Sequence, residues 1–171
     1  MKKLIIAAIV IIVAVVILLF VAQRSVYQTP SSSALLKGNP AQVWHVLTDI
    51  PYWADWWPEV KSAGLKGPIK VGSELNVEVR NGEGAWVATL TTVEPLKQLS
   101  WLRTDDADSG MKLTFDVKPV EGGTELVLTQ SMAGLEAALA KMNGGKDLIG
   151  RQESIVEGFG QQFAKKFGPK K

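Results

Sequence analysis

The 171-residue chain predicts an α+β fold: an antiparallel β-sheet wrapped around a long carboxy-terminal helix and preceded by one transmembrane helix. Three observations predict it. Leu4 to Ala22 is an unbroken apolar run, long enough as a helix to cross a hydrocarbon core of ~30 Å. The middle of the chain alternates apolar and polar residues with period two between glycine-containing turns. The stretch Asp147–Phe167 then shows the helical period, with one apolar face.

Residues 1–22 are expected to be an uncleaved anchor. A cleaved signal peptide competes, but its apolar region usually spans only about 7–15 residues, and Phe20–Val21–Ala22 puts a bulky ring where a small residue is wanted. Lys2 and Lys3 precede the run and only Arg24 follows closely, so the amino end should face the cytoplasm and the domain the outside of the cell membrane. Residues 23–33, ending "TPSSS", read as a linker that enters the first strand late, around Ser33–Lys37.

Asn39–Pro40 looks like an N-cap followed by proline at the first helical position, and Val43, Val46 and Leu47 follow at helical spacing. That short helix ends before Pro51. A second brief helix or turn should carry Tyr52–Trp57 and stop at Pro58. Leu75, Val77 and Val79 alternate with polar residues as a strand with one wet face, and "RNGEG" supplies a turn. Further strands are expected at Ala85–Val93, at Gln98–Arg103, through Met111, Leu113, Phe115 and Val117, and at Thr124–Met132 after "EGG". "LEAALAKM" at 135–142 is a good helix former, Asn143–Gly144–Gly145 interrupts it, and Asp147–Phe167 resumes it. Leu148, Ile149, Ile155, Val156, Phe159, Phe163 and Phe167 share a face that the sheet must cover.

Residues 34–167 suffice for one core and are too few for two domains of ordinary size, with 168–171 left as a basic tail. All 17 acids and 17 of the 19 basic residues follow residue 22, so this part is formally neutral. No face gathers the Lys and Arg that nucleic-acid binding needs; Lys165, Lys166, Lys170 and Lys171 suit a helix terminus. The absence of cysteine excludes disulfides and thiolate metal sites.

The order strand, two short helices, antiparallel meander and long terminal helix is a helix-grip arrangement. "NPAQVWHVLTDIPYWADWWPEV", "GEGAWVATLTTVEP" and "GGTELVLTQSMAGL…MNGGKDLIGRQESIVEGF" resemble the START-like (SRPBCC) superfamily, in particular its polyketide cyclase/dehydrase group, which includes bacterial members tethered by one amino-terminal helix. The resemblance covers residues 33–167. It implies a deep cavity between sheet and helix, and it expects a Trp-x-Pro element, here Trp56–Trp57–Pro58, near the cavity mouth. It carries over no universal catalytic residue, because the superfamily contains lipid carriers, hydrophobic-ligand binders and cyclases alike.

Strand alternation and helix face nominate Trp86, Trp101, Phe115, Leu128, Ile155 and Phe159 as lining, with Leu90 and Leu126 in the same set, and Trp56 and Trp57 at the mouth. Each can equally be ordinary core. Trp53 and Trp57 are expected to be partly exposed, and interleaved Asp49, Asp55 and Glu59 argue against insertion of this segment into anionic lipid. Sugar stacking is a lesser alternative. Gln152 falls on the apolar helix face, where it either walls a polar cavity or bonds a strand.

Catalytic groups are sparse. The single histidine, His45, falls opposite the apolar face of its helix. Asp105, Asp106 and Asp108 lack the spacing of a calcium loop, and "NGGKD" lacks the Ser or Thr of a phosphate loop. No catalytic residue, metal or cofactor is therefore assigned. The expectation is an anchored binder of a small hydrophobic or amphipathic, lipid-like molecule, held to the membrane through residues 4–22 and without nucleic acid. The alternatives are a cyclase or dehydratase, for which Glu83 or Arg103 would have to point inward, and a protein-interaction module using Trp53 and Trp57.

Overall fold

A computed structural model describes residues 2–80, 84–103 and 110–168, with backbone only at 2–5, 7, 8, 18, 19 and 21. Glu83, the aspartates at 105, 106 and 108, and the end of the basic tail lie outside the described residues. The order is α1 (Lys2–Gln23), β1 (Val26–Gln28), β2 (Ser32–Leu36), α2 (Pro40–Thr48), a 3₁₀ segment (Ile50–Asp55), β3 (Val60–Leu65), β4 (Glu74–Val79), β5 (Ala85–Glu94), β6 (Gln98–Arg103), β7 (Lys112–Val120), β8 (Gly123–Ala133), α3 (Gly134–Asn143) and α4 (Lys146–Phe167).

The expected α+β helix-grip order holds. One eight-stranded antiparallel sheet runs β8–β7–β6–β5–β4–β3, with β1 and β2 sharing the free edge of β8. Period-two patterning places Leu113, Phe115 and Val117 of β7 and Leu126, Leu128 and Met132 of β8 inward, where α4 supplies Ile155, Val156, Phe159 and Phe163. Asn39 caps α2 reciprocally with Gln42, as the Asn–Pro signal predicts, and His45 is exposed. Gly144 and Gly145, both left-handed at φ 69° and 62°, break α3 from α4, a conformation that glycine adopts without a Cβ penalty.

Several sequence expectations change. The linker is in part a strand: β1 pairs Val26 with Ala133 and Gln28 with Ser131, and Thr29 is buried. β3 is not among the expected strands, yet it forms the other edge through Ala63↔Val77 and Leu65↔Leu75. Trp53, Trp56 and Trp57 are all buried, so the expected exposure of Trp53 and Trp57 is overturned, and Tyr52 is the exposed ring of the segment. The reason is local: the Trp56 and Trp57 N–H groups both donate to the Trp53 carbonyl, at 3.1 and 2.8 Å, so one tight turn at the end of the 3₁₀ segment gathers the three rings.

α1 is helical over 22 residues, and Ile6, Ile9 to Val13 and Phe20 are exposed. Among the described residues, no helix is long and apolar enough to cross a membrane. The spanning anchor therefore stands as an expectation from the sequence.

Candidate functional site

The space between sheet and α4 is filled mainly by tryptophan. Trp53 packs on Trp101 at 5.0 Å between ring centroids, on Trp57 at 5.4 Å and on Trp56 at 5.9 Å, while Trp56 meets Phe159 edge-on at 5.0 Å and Trp101 stacks on Phe115 at 5.5 Å. Such offset and T-shaped pairs add about 0.5–1.5 kcal/mol each beyond burial. The Trp53 indole N–H donates to the Leu47 carbonyl at 2.9 Å, tying the 3₁₀ segment to α2. The indole N–H groups of Trp56, Trp57 and Trp101 are buried and have no acceptor among the described residues. A buried donor left so costs roughly 1–3 kcal/mol, and each is a ready partner for an oxygen atom brought beside it.

A small cavity of about 70 Å³ is walled by Trp57, Trp86, Leu113, Gln130 and Ile155, with Glu59, Arg103 and Arg151 at its rim. That is far below the ~300–1,000 Å³ of usual small-molecule sites. It adjoins a cleft of about 410 Å³ across Arg103, Met111, Leu148 and Arg151, which line both. The cleft runs beneath α3, with Met132, Leu139 and Ala140 supplying apolar wall and Glu136, Asn143 and Asp147 polar wall. Arg151 Nε lies 3.3 Å from Glu59 Oε1, and the Arg103 guanidinium stands 5.7 Å over the Trp86 ring. Together cavity and cleft can take an amphipathic body. Two methionines allow the apolar wall to adapt to shape.

The nominated residues divide in three. Trp57, Trp86 and Ile155 reach the cavity. Trp101, Phe115, Leu128 and Phe159 are fully buried core, and Trp56 closes the core on the outer side. Gln152 is buried and its amide is fully used: Oε1 accepts from Thr29 Oγ1 at 2.6 Å, and the two hydrogens of Nε2 are shared among Pro30 O at 2.7 Å, Leu128 O at 2.9 Å and Ser32 Oγ at 3.1 Å. Pro30 interrupts the strand edge between β1 and β2, and Gln152 bonds the carbonyls stranded there. It serves the fold, leaving no donor for a ligand.

Sequence reasoning misses Met132, Leu139, Ala140 and Arg151 in the lining. The available signal is in α3, where Leu135, Leu139 and Met142 recur at helical spacing, but that pattern alone marks only a helix. A larger depression of about 570 Å³ lies outside the interior, between Trp56–Pro58, Arg80 and α4, and is more polar. Carboxylates held below their usual range lie elsewhere again: Glu74, hydrogen-bonded by Lys66, and Glu78, hydrogen-bonded by Lys61, on strand β4.

Comparison with known proteins agrees with this architecture. No curated protein sequence matches the chain. Among solved structures, the Zhui aromatase/cyclase from Streptomyces sp. R1128 is 15% identical, with a TM-score of 0.67 over 82% of this chain and 95% of its own. The protein TTHA0849 from Thermus thermophilus is 15% identical, with a TM-score of 0.66 over 82% of this chain and 99% of its own. Norcoclaurine synthase from Thalictrum flavum, in complex with dopamine and hydroxybenzaldehyde, is 12% identical, with a TM-score of 0.64 over 88% of this chain and 94% of its own. These likenesses establish the fold. Residues 28–167 match the family described as polyketide cyclase / dehydrase and lipid transport, and the chain belongs to that family.

Proposed function

We propose that the chain is a membrane-anchored binding protein for a small hydrophobic or amphipathic, lipid-like molecule, held in the cleft beneath α3 with one end reaching Trp57 and Trp86. The observation that carries this is the adjoining of cleft and cavity at Arg103, Met111, Leu148 and Arg151, where apolar walls meet cations. Burial of the ligand's apolar surface would supply ~25 cal/mol per Å² before the costs of association, and the polar rim would orient its head. The family's description, with its lipid transport, agrees with a small hydrophobic ligand. The anchor is residues 4–22, with the domain outside the cytoplasm, argued from the apolar run and its basic flank.

A cyclase or dehydratase is the second reading, favoured by Arg103 and by Glu59 paired with Arg151 at the cavity rim. It requires a rim group to exchange a proton with the bound molecule. The interaction-module reading loses its anchors, because Trp53 and Trp57 are buried.

The test is mass spectrometry of molecules retained by the purified full chain, beside the Met111→Trp variant, which fills the cleft. Retention of an apolar molecule by the parent and its loss from the variant is the expected result. A parent that retains nothing, and does not bind an added fluorescent fatty acid, overturns the proposal. Recovery of a dehydrated or cyclised product would favour the enzyme.

A further inference from the structure

Helix α3 exposes Leu135, Leu139 and Met142, the last at 84% of its surface, along one face, and buries Ala137 and Ala140 on the other. Single exposed apolar side chains need no explanation, but three at i, i+4 and i+7 form a stripe. The chain itself says what lies beside that stripe. The Gly134 N–H at the start of α3 donates to the Ser25 carbonyl at 2.9 Å, and Ser25 N–H donates to Ala22 O at 3.0 Å, on the last apolar residue of the run. At a reach of ~3.5 Å per residue, the beginning of α3 thus lies within about 10 Å of the end of α1. α1 also packs against α3. At the same level Arg24 sets its guanidinium 4.3 Å over the Phe20 ring, an arrangement suited to the boundary between hydrocarbon and headgroups.

We propose that α3 docks on the surface of the phospholipid bilayer that holds α1, with Leu135, Leu139 and Met142 entering the acyl boundary, so that the cleft opens toward lipid. An interfacial amphipathic helix lies in this way, with its apolar face buried by roughly 5–10 Å. α3 is built to lie there while still covering the cleft. Leu139 belongs to both the exposed stripe and the cleft wall, and the helix is set off from β8 by Gly134 at φ 78° and from α4 by Gly144 and Gly145. A lipid-like molecule would then enter from the membrane beneath α3. This rests on the anchored, ligand-binding reading above.

The chain has no cysteine, so single labels are unambiguous. The full chain carrying Met142→Cys is labelled with an environment-sensitive nitrobenzoxadiazole dye and reconstituted into phosphatidylcholine vesicles, with or without lipid bearing a spin label near the headgroup. Lys118→Cys serves as reference. Lys118 pairs with Glu125, eight residues along β8 from Ala133, or roughly 25 Å at ~3.3 Å per residue. The expected result is a blue-shifted emission from the Met142 site that spin-labelled lipid quenches, with a water-like, unquenched emission from the Lys118 site. A chain that floats with the vesicles while both sites read as water overturns the docking of α3 and leaves the anchor standing. A folded chain that fails to float with the vesicles removes the anchor and the docking together.

Discussion

Gly158 lies where α4 crosses the Trp56 carbonyl, and a Cβ placed there would come within 2.0 Å of that oxygen. Alanine in a helix is ordinarily preferred to glycine by about 1 kcal/mol. Here the clash is with backbone rather than a yielding side chain, and overpacking of this kind costs roughly 1–3 kcal/mol or more. Gly150, on the same helix, has no atom within 4 Å of its notional Cβ. Denaturant unfolding should therefore show Gly158→Ala destabilised by about 1–3 kcal/mol and Gly150→Ala stabilised by roughly 0.5–1 kcal/mol. Equal effects from the two would mean that α4 does not approach Trp56 so closely. The same contact explains part of what is hidden at residue scale. Sequence marks Trp56 and Gln152 as unusual, but it cannot tell that Trp56 touches Gly158, or that Gln152 faces a break in a strand edge rather than a ligand.

At the scale of elements, the strands with clean alternation are legible in the sequence and those without it are not. β7 carries apolar residues at every second position, β8 does so at Leu126, Leu128 and Met132, and β4 does so on one face. β3 hides because the register shifts between Val60 and Ser62, which breaks the period, and because Gly64 weakens what is left. β1 has three residues, too few for any period to appear. The β3–β4 edge also carries a testable charge pattern. Glu78 accepts from Lys61 at 2.7 Å and from Ser62 at 3.1 Å, and these bonds hold its carboxyl below the ordinary 4.5. A depressed carboxyl stabilises the folded state fully above the unfolded value, and that contribution is lost as pH falls through the lower folded value. Pairing at this edge should accordingly weaken only below about pH 4.5. In an NMR titration the Glu78 carboxyl should show a midpoint under 4.5 that Lys61→Met moves back up. An unmoved midpoint would mean that Lys61 does not hold the carboxylate.

For the whole molecule, order and period suffice for the helix-grip arrangement, because a meander followed by one long amphipathic helix has few ways to bury both apolar faces. They cannot give the volume left inside, which depends on how the six tryptophans divide between core and surface. Placement of Trp53, Trp56, Trp57 and Trp101 in contact leaves a small cavity of about 70 Å³ and shifts ligand capacity to the cleft beneath α3. Trp57 is the partition between the two regimes, since it touches Trp53, Trp56, Trp86 and Trp101 and also walls the cavity. Trp57→Ala should cost roughly 3–5 kcal/mol through lost packing and the void it leaves. A domain with ~5–15 kcal/mol of stability can survive that loss. The void would be indole-shaped and continuous with the residual cavity, so added indole should bind the variant. A ligand at 100 times its dissociation constant restores about 2.7 kcal/mol, readable as a rise in Tm that the parent does not share. If indole leaves the variant's Tm unchanged, the sheet and α4 have closed over the gap, and the tryptophans are a yielding core rather than a fixed partition.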